Sequence, residues 1–306
     1  MRNFSFALVL TLCIAVLFSA CTSTATDPTE QTELPTLSVE EKYSEAVGLI
    51  ASSECDKAYS ILKDIEAFAD AKALLTNFLI TEKTTATRSD GTSYTLETTS
   101  NAFDTIVKEE QLTSDGEHIL NEYELDLNGV VVKSKNNSDG YVITWDYIYD
   151  ENGTLVKKEG VDGSGNKGSY SYEYDENGNM VKETYKDGAT TDVTTFTYDA
   201  NNNLIKKEYD APFNLYYVVE YFYNEKNQKV KTTWDDANSD SWVSEDVYGE
   251  DGNIIQNIFT EDGVVEITDF TYYPDGELLS STTHKDNEED FTIKYEYDTI
   301  ITYAEH

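Results

Sequence analysis

Acidic and amide side chains recur in short clusters such as Asp175, Glu176 and Asn177, which superficially resemble calcium ligands. A dedicated calcium loop supplies oxygen ligands at alternating positions and closes with a bidentate glutamate. That order is missing from these clusters, whereas aspartate and asparagine are typical of tight turns, where their side chains bind the backbone. We therefore predict turns at these positions, with no metal site and no cofactor.

Catalytic residues are equally hard to find in this sequence. His118, His284 and His306 lie far apart, without the spacing of metal ligands. The chain has no nucleophile-elbow serine and no glycine-rich phosphate loop. Carboxylates are so abundant that counting them neither supports nor excludes acid–base chemistry. We predict a protein that is not an enzyme.

The best candidate for binding is a row of aromatic residues predicted to face a row of lysines. Exposed aromatic rings can stack on sugars, and lysines can reach carboxylates or hydroxyls. The alternative is that lysine stems merely cover their aromatic neighbours, with some cation–π stabilisation. The predicted interaction face consists of Tyr147, Tyr172, Phe196, Tyr221, Lys157, Lys182, Lys206 and Lys231.

These side chains are positioned by a sequence repeat. Its anchors are spaced 24 or 25 residues apart, which indicates a repeat architecture, and they are Ser100, Leu125, Tyr149, Tyr174, Tyr198, Tyr223, Tyr248, Tyr272 and Tyr297. Four residues after each of the first eight anchors stands Gly, Asn or Asp, residues that tolerate positive φ. Such a position closes a three-residue hairpin loop. A second turn, such as Asp187-Gly188, ends the other side of each hairpin.

Hairpin geometry predicts which residues face each other. An anchor should pair with the residue six positions after it, as Tyr149 with Leu155. The aromatic residue two positions before the anchor should pair with the residue eight positions after the anchor. The fold class is therefore mainly β, an extended antiparallel meander of ~18 strands built from ~25-residue hairpins, with a small N-terminal α-helical unit. We expect the sheet to coil because twist accumulates over many strands, and the alternative is a thin open sheet.

Three segments carry a family resemblance: Tyr149-Asp150-Glu151-Asn152-Gly153, Tyr174-Asp175-Glu176-Asn177-Gly178 and Tyr198-Asp199-Ala200-Asn201-Asn202. They resemble the YD repeats of the RHS family, and the similarity covers roughly residues 90–300. The resemblance implies a coiled β-sheet like the shells that enclose toxins in larger members. We expect no enclosing role here, since little chain follows the last repeat.

The N-terminal sequence indicates an export signal. One arginine precedes the apolar run Phe6 to Phe18, and Ser19-Ala20-Cys21 follows, which resembles a bacterial lipoprotein signal lipidated at Cys21. An ordinary secreted protein cleaved nearby is the alternative. Cys55 then has no partner for a disulfide, so we predict a small buried apolar residue. We place the protein outside the cytoplasm, lipid-anchored to the bacterial cell membrane.

We divide the chain into a signal peptide at 1–20, a Thr/Pro-rich tether at 21–36, three short helices at 37–79 and the repeat sheet at 80–303. The helical segment resembles a tetratricopeptide hairpin plus one helix. The formal net charge of −37, from 22 Lys+Arg against 59 Asp+Glu, argues against nucleic acid as a partner.

Three functions fit these observations. The first is a non-enzymatic surface lipoprotein that acts as a scaffold for adhesion or for binding proteins or glycans. The second is a glycan-binding or glycan-processing accessory protein. The third is a toxin- or immunity-associated fragment of an RHS system.

Overall fold

The computed structural model describes residues 37–213, 215–237, 240–285 and 288–303. Within them, three helices precede eighteen strands, as the sequence predicts. The helices are α1 (Val39–Ala51), α2 (Cys55–Asp64) and α3 (Ala69–Leu75). The strands are β1 (Phe78–Arg88), β2 (Ser93–Asn101), β3 (Ile106–Thr113), β4 (His118–Leu125), β5 (Val131–Ser138), β6 (Tyr141–Tyr149), β7 (Leu155–Asp162), β8 (Lys167–Tyr174), β9 (Met180–Asp187), β10 (Thr190–Tyr198), β11 (Leu204–Ala211), β12 (Leu215–Tyr223), β13 (Lys229–Asp236), β14 (Ser241–Tyr248), β15 (Ile254–Glu261), β16 (Val264–Tyr272), β17 (Leu278–Lys285) and β18 (Phe291–Tyr303).

The helices share one apolar core with the first and last strands. Ala46 of α1, Leu62 of α2 and Leu75 of α3 are fully buried around Phe78. The Phe78 ring meets Tyr303 edge-on, with centroids 5.0 Å apart. Burial of these side chains holds the short helices in place, because helices of 7 to 13 residues are marginal alone. The helical unit thus covers the start of the first strand.

The sheet closes on itself. Each strand pairs antiparallel with the next along the chain, and β1 also pairs with β18, from Phe78 opposite Tyr303 to Arg88 opposite Ile293. The predicted meander is confirmed, and the predicted coiling goes as far as a closed antiparallel barrel, which we call the ring. Within the described residues no strand is left at an edge, and closure removes the edge groups that promote aggregation.

The hairpin loops have the predicted chemistry. The backbone N–H groups of Asn152 and Thr154 both donate to Asp150 Oδ1 at 2.9 Å. Gly153 closes the loop with φ +82°, a left-handed conformation that costs glycine least. All eight predicted positions have positive φ, namely Asp104, Gly129, Gly153, Gly178, Asn202, Asn227, Gly252 and Gly276.

A β-bulge follows each of these loops and corrects part of the predicted pairing. Tyr149 lies opposite Leu155 as expected. The residue before it, Ile148, lies opposite Lys157, so Val156 is an extra residue with no partner of its own. One inserted residue exchanges the two faces of the strand that contains it. Tyr147 therefore lies opposite Lys158, and the predicted pairing with Lys157 is wrong.

The two faces of the ring differ in chemistry. The aromatic face contains the strand residues in register with Tyr147 and Tyr172, and the charged face contains those in register with Lys157 and Lys182. Fully or nearly buried strand residues, such as Ser134 and Thr194, lie on the aromatic face. Side chains on the inside of a closed sheet converge, so we assign the aromatic face to the inside. A closed sheet with this many strands is too wide for its side chains to fill the interior.

Candidate functional site

The predicted interaction face is divided between the two sides of the sheet. Tyr172 is opposite Glu183 on the aromatic face, while Lys182 is opposite Glu173 on the charged face. In the other repeats, Phe196 lies opposite Lys207 and Tyr221 lies opposite Thr232. The predicted partners, Lys206 and Lys231, are on the other face. The aromatic row and the lysine row therefore form no common surface, because the bulge shifts the register by one residue.

The predicted lysines are instead neutralised on the charged face. Lys182 binds Glu173 at 2.9 Å and Lys206 binds Glu208 at 3.0 Å. Lys157 binds Glu159, and Lys231 lies 3.8 Å from Glu245. These pairs are partly exposed and give the charged face alternating charges.

The anchor tyrosines have a structural task that the sequence did not predict. Tyr174 Oη donates to the carbonyl oxygen of Leu155 at 2.8 Å, and Tyr198 Oη to that of Met180 at 2.9 Å. Each acceptor is the residue opposite the previous anchor, beside the preceding bulge. The donors in the described repeats are Tyr149, Tyr174, Tyr198, Tyr223, Tyr248, Tyr272 and Tyr297.

A row of aromatic rings in two segments runs along the inner wall from β6 to β15. Successive centroids within its two segments are 4.7 to 6.4 Å apart. The segments meet at Asp192, which lies opposite Tyr185 and accepts from Tyr209 Oη at 3.0 Å. We call this row the aromatic band, and its members are Trp145, Tyr170, Tyr185, Tyr209, Tyr217, Trp234, Trp242 and Phe259. All eight are half-buried.

Two glycines make room for the first rings of the band. Gly160 and Gly168 lie opposite each other on β7 and β8. A Cβ on Gly160 would come within 2.5 Å of the Trp145 ring, and one on Gly168 within 3.1 Å of Tyr185 Oη. The missing side chains let both rings lie against the backbone.

Two lysines lie over rings of the band, Lys207 at 6.0 Å from the ring centre of Tyr217 and Lys158 within a cluster of three rings. Lys158 Nζ is 5.5 Å from the ring centres of both Trp145 and Tyr147, and 4.8 Å from that of Tyr170. Burial lowers the pKa of Lys158, and the charge of Glu183 opposes that shift. The ring faces thus hold an ammonium group that the surrounding protein partly desolvates.

Carboxylates border the band on the side away from the bulges. Asp236 lies opposite Tyr217, and Glu261 lies opposite Trp242. Asp187 is two residues beyond Tyr185 on the same face of β9. Rings with adjacent hydrogen-bond acceptors can bind ligands that have both an apolar face and hydroxyl or ammonium donors.

The remaining chemistry-bearing residues lie away from the band. His284 lies between Asp269 and Asp290, at 3.2 and 2.9 Å, on the charged face. Hydrogen bonding to Asp290 raises the pKa of His284 despite partial desolvation. Cys55 is half-buried and packs against the helical core. In the described part of the chain, no cluster of three His, Cys, Asp or Glu side chains could hold a metal ion.

The sequence did contain a signal for the band. Aromatic residues stand eleven positions after four consecutive anchors, at Tyr185, Tyr209, Trp234 and Phe259. That spacing alone does not show that the rings of neighbouring strands touch. Their contact depends on the register, which the bulges set.

The predicted signal peptide, the lipidation site Cys21 and the tether lie outside the described residues. None of the helices in the ranges that the structure describes is long and apolar enough to cross a bilayer.

Comparisons with known proteins agree with the repeat. The family model for the RHS repeat matches residues 149–190. No curated protein matches the chain. Among solved structures, a porin-like protein from Bacteroides uniformis ATCC 8492 aligns at 12% identity over 73% of this chain and 98% of its own, with a TM-score of 0.39. MucB in complex with MucA(peri) aligns at 11% identity over 75% and 94%, with a TM-score of 0.14. With TM-scores this low, the fold assignment rests on the strand pairing.

Proposed function

We propose that this protein is a non-enzymatic, lipid-anchored scaffold on the bacterial cell surface, which binds other molecules through its ring. The observation that supports a binding role best is the aromatic band, because eight half-buried rings in one row leave apolar area that the protein itself does not cover. Closure of the sheet supports a durable scaffold, since the strands are paired on both sides.

The site contains no nucleophile–base pair that would favour catalysis. Its groups are aromatic rings, a lysine held over three of them, and carboxylates in register with the rings. This set suits recognition, where rings supply contact area and polar groups supply orientation. We therefore assign no reaction.

The anchor is tested at Cys21. Replacing it by serine removes the thiol that lipidation requires, so Cys21→Ser should release the protein from the membrane fraction into the soluble extracytoplasmic fraction. Cys55→Ser is the matched control, because Cys55 lies in the folded part of the chain, and it should stay with the membrane. Equal distribution of the two variants would remove the lipid anchor from the proposal.

Surface exposure is tested by treating intact cells with a protease. A surface scaffold should be cleaved on intact cells, while a cytoplasmic marker stays whole. Adhesion of cells that produce the wild-type protein to immobilised glycans or proteins should exceed adhesion of cells that produce Cys21→Ser. Full protection from the protease would contradict the surface location.

The helical unit has a part in this scaffold. We propose that its tetratricopeptide-like hairpin holds the β1–β18 seam, since Phe78 and Tyr303 lie on opposite sides of that seam and pack together in the helical core. Truncating Leu62 to alanine should then weaken the ring by about 2 to 5 kcal/mol, as for other buried leucines.

A further inference from the structure

We propose that the aromatic band is the binding track for a glycan chain made of neutral or amino sugars. This inference deepens the proposed function, on which it rests, by naming the surface and the ligand class. It assigns the contact to the inner wall of the ring, away from the lysine row of the charged face.

The geometry of the band fits an extended ligand. Its rings come from eight of the ten strands β6 to β15, and the paired rings Tyr209 with Tyr217 and Trp234 with Trp242 are nearly parallel, at 20° and 4°. With centroids 4.9 and 6.4 Å apart, the two rings of each pair stack on each other and form one apolar unit. Sugar rings have an apolar face that can pack against the uncovered parts of these half-buried aromatic stacks. A chain of sugars can contact several of these stacks at once, which adds weak contacts together.

Charge decides which glycans fit. Asp187, Asp236 and Glu261 lie on the same face as the rings and border the band. Lys158 and Lys207 lie over rings of the band, but the formal net charge of −37 for the whole chain disfavours sugars that carry carboxylates or phosphates. Hydroxyl groups can donate to these carboxylates, and ammonium groups of amino sugars gain an additional electrostatic attraction.

The opposite wall provides a comparison within the same molecule. Tyr216 and Phe222 are exposed aromatic residues of β12 on the charged face. Tyr216 donates to Glu208 at 3.1 Å, and its neighbours in the sheet are charged pairs. These residues lie outside the aromatic band, so they serve as controls for non-specific stacking.

All three tryptophans of the chain, Trp145, Trp234 and Trp242, belong to the band. Tryptophan fluorescence of the full-length protein in detergent therefore reports on this surface directly. The probes are hexamers of N-acetylglucosamine, glucosamine, β-linked glucose and galacturonate, with an oligolysine peptide for comparison. We expect saturable fluorescence changes with the first three hexamers, strongest for glucosamine, and none with galacturonate.

Substitutions inside and outside the aromatic band test where the glycan binds. Trp234→Leu combined with Trp242→Leu should weaken binding of the glucosamine hexamer by about tenfold or more, measured through Trp145 fluorescence and by calorimetry. Tyr216→Leu should bind like the wild type. Circular dichroism shows whether each variant is folded, and Glu261→Gln, which keeps the rings, should reduce only the preference for glucosamine over glucose.

Several outcomes would overturn the inference. These are no response to any hexamer, equal responses from galacturonate, binding only to oligolysine, or binding that Tyr216→Leu abolishes. The proposed function fails separately, through protection from protease on intact cells or retention of Cys21→Ser on the membrane. Glycan binding by a protein that is not surface-exposed would leave the band inference standing and remove the surface scaffold.

Discussion

Tyr174 Oη donates a hydrogen bond to the carbonyl oxygen of Leu155, nineteen residues earlier, at 2.8 Å. Leu155 lies opposite Tyr149, the anchor of the preceding repeat, where the bulge disturbs the regular ladder. The phenol thus binds one hairpin to the bulge of the previous one. Burial raises the pKa of Tyr174, so the hydroxyl remains a donor through neutral and mildly alkaline pH.

Removing this hydroxyl should destabilise the ring. Tyr174→Phe leaves the Leu155 carbonyl without its donor, and a lost hydrogen bond of this kind costs about 1 kcal/mol. Urea unfolding measures the loss. Tyr216→Phe is the control, because Tyr216 is exposed and its hydroxyl donates to the Glu208 carboxylate on the same wall rather than to a bulge. Equal losses from the two variants would show that the link between repeats contributes nothing.

Loop conformation gives a second prediction. Gly178 has φ +84°, so Gly178→Ala should cost about 1 to 2 kcal/mol through left-handed strain. Gly178→Asn should cost less, because Asn202 and Asn227 occupy the same position in the next repeats at φ +63° and +64°. Gly48→Ala in α1 is the control, since nothing lies within 4 Å of its added Cβ, and it should be neutral or stabilising. Thermal unfolding that ranks Gly48→Ala lowest would contradict the loop assignment.

The floor of the aromatic band gives a third prediction. Gly160→Ala places a Cβ within 2.5 Å of the Trp145 ring, so the ring must move, at a cost of about 1 to 3 kcal/mol. The movement should shift Trp145 fluorescence in a background with Trp234→Phe and Trp242→Phe. Gly163→Ala, whose nearest neighbour would be the Val142 carbonyl at 3.9 Å, should leave the spectrum unchanged. An unchanged spectrum for Gly160→Ala would mean that Trp145 does not lie over Gly160.

Alkaline pH should weaken the ring. Burial, then the hydrogen bond to Asp192 and its charge, raise the pKa of Tyr209 to about 12 from an ordinary value of 10.0. The unfolded chain therefore loses this proton first, so the contribution is fully present below pH 10.0 and is lost as the pH rises to about 12. Tyr209→Phe should flatten the fall in urea midpoint over this range. Phe222→Leu, which changes no titrating group, should keep the wild-type slope, and identical slopes for all three proteins would refute the assignment.

Salt should stabilise the protein. With a formal net charge of −37, repulsion among carboxylates outweighs what the exposed ion pairs of the charged face contribute. Raising NaCl from about 0.01 M to about 0.5 M shortens the screening length to a few ångströms and should raise the melting temperature. KCl at the same concentrations should give the same rise. A lower melting temperature in either salt would show that the ion pairs dominate.

Local features were the most predictable from the sequence. The loop residues Asp150 and Gly153 follow from backbone chemistry within five residues, and the pairing of Tyr149 with Leu155 follows from the loop length. The predicted interaction face is wrong because it depends on the pairing beyond the loop. Lys157 was assigned to the side of Tyr147 by counting, but the bulge inserts Val156 and turns Lys157 to the other face.

The sequence by itself determined the repeat, its turns and the number of strands, because these depend on contacts between residues close along the chain. Only the tertiary structure decided that β18 returns to β1, that Tyr174 binds Leu155, and that rings from eight strands line up in one band. Each of these depends on the accumulated twist and register of many strands. A register change of one residue exchanges the two faces of a strand. The total twist and register of eighteen strands therefore cannot be derived from any local sequence pattern.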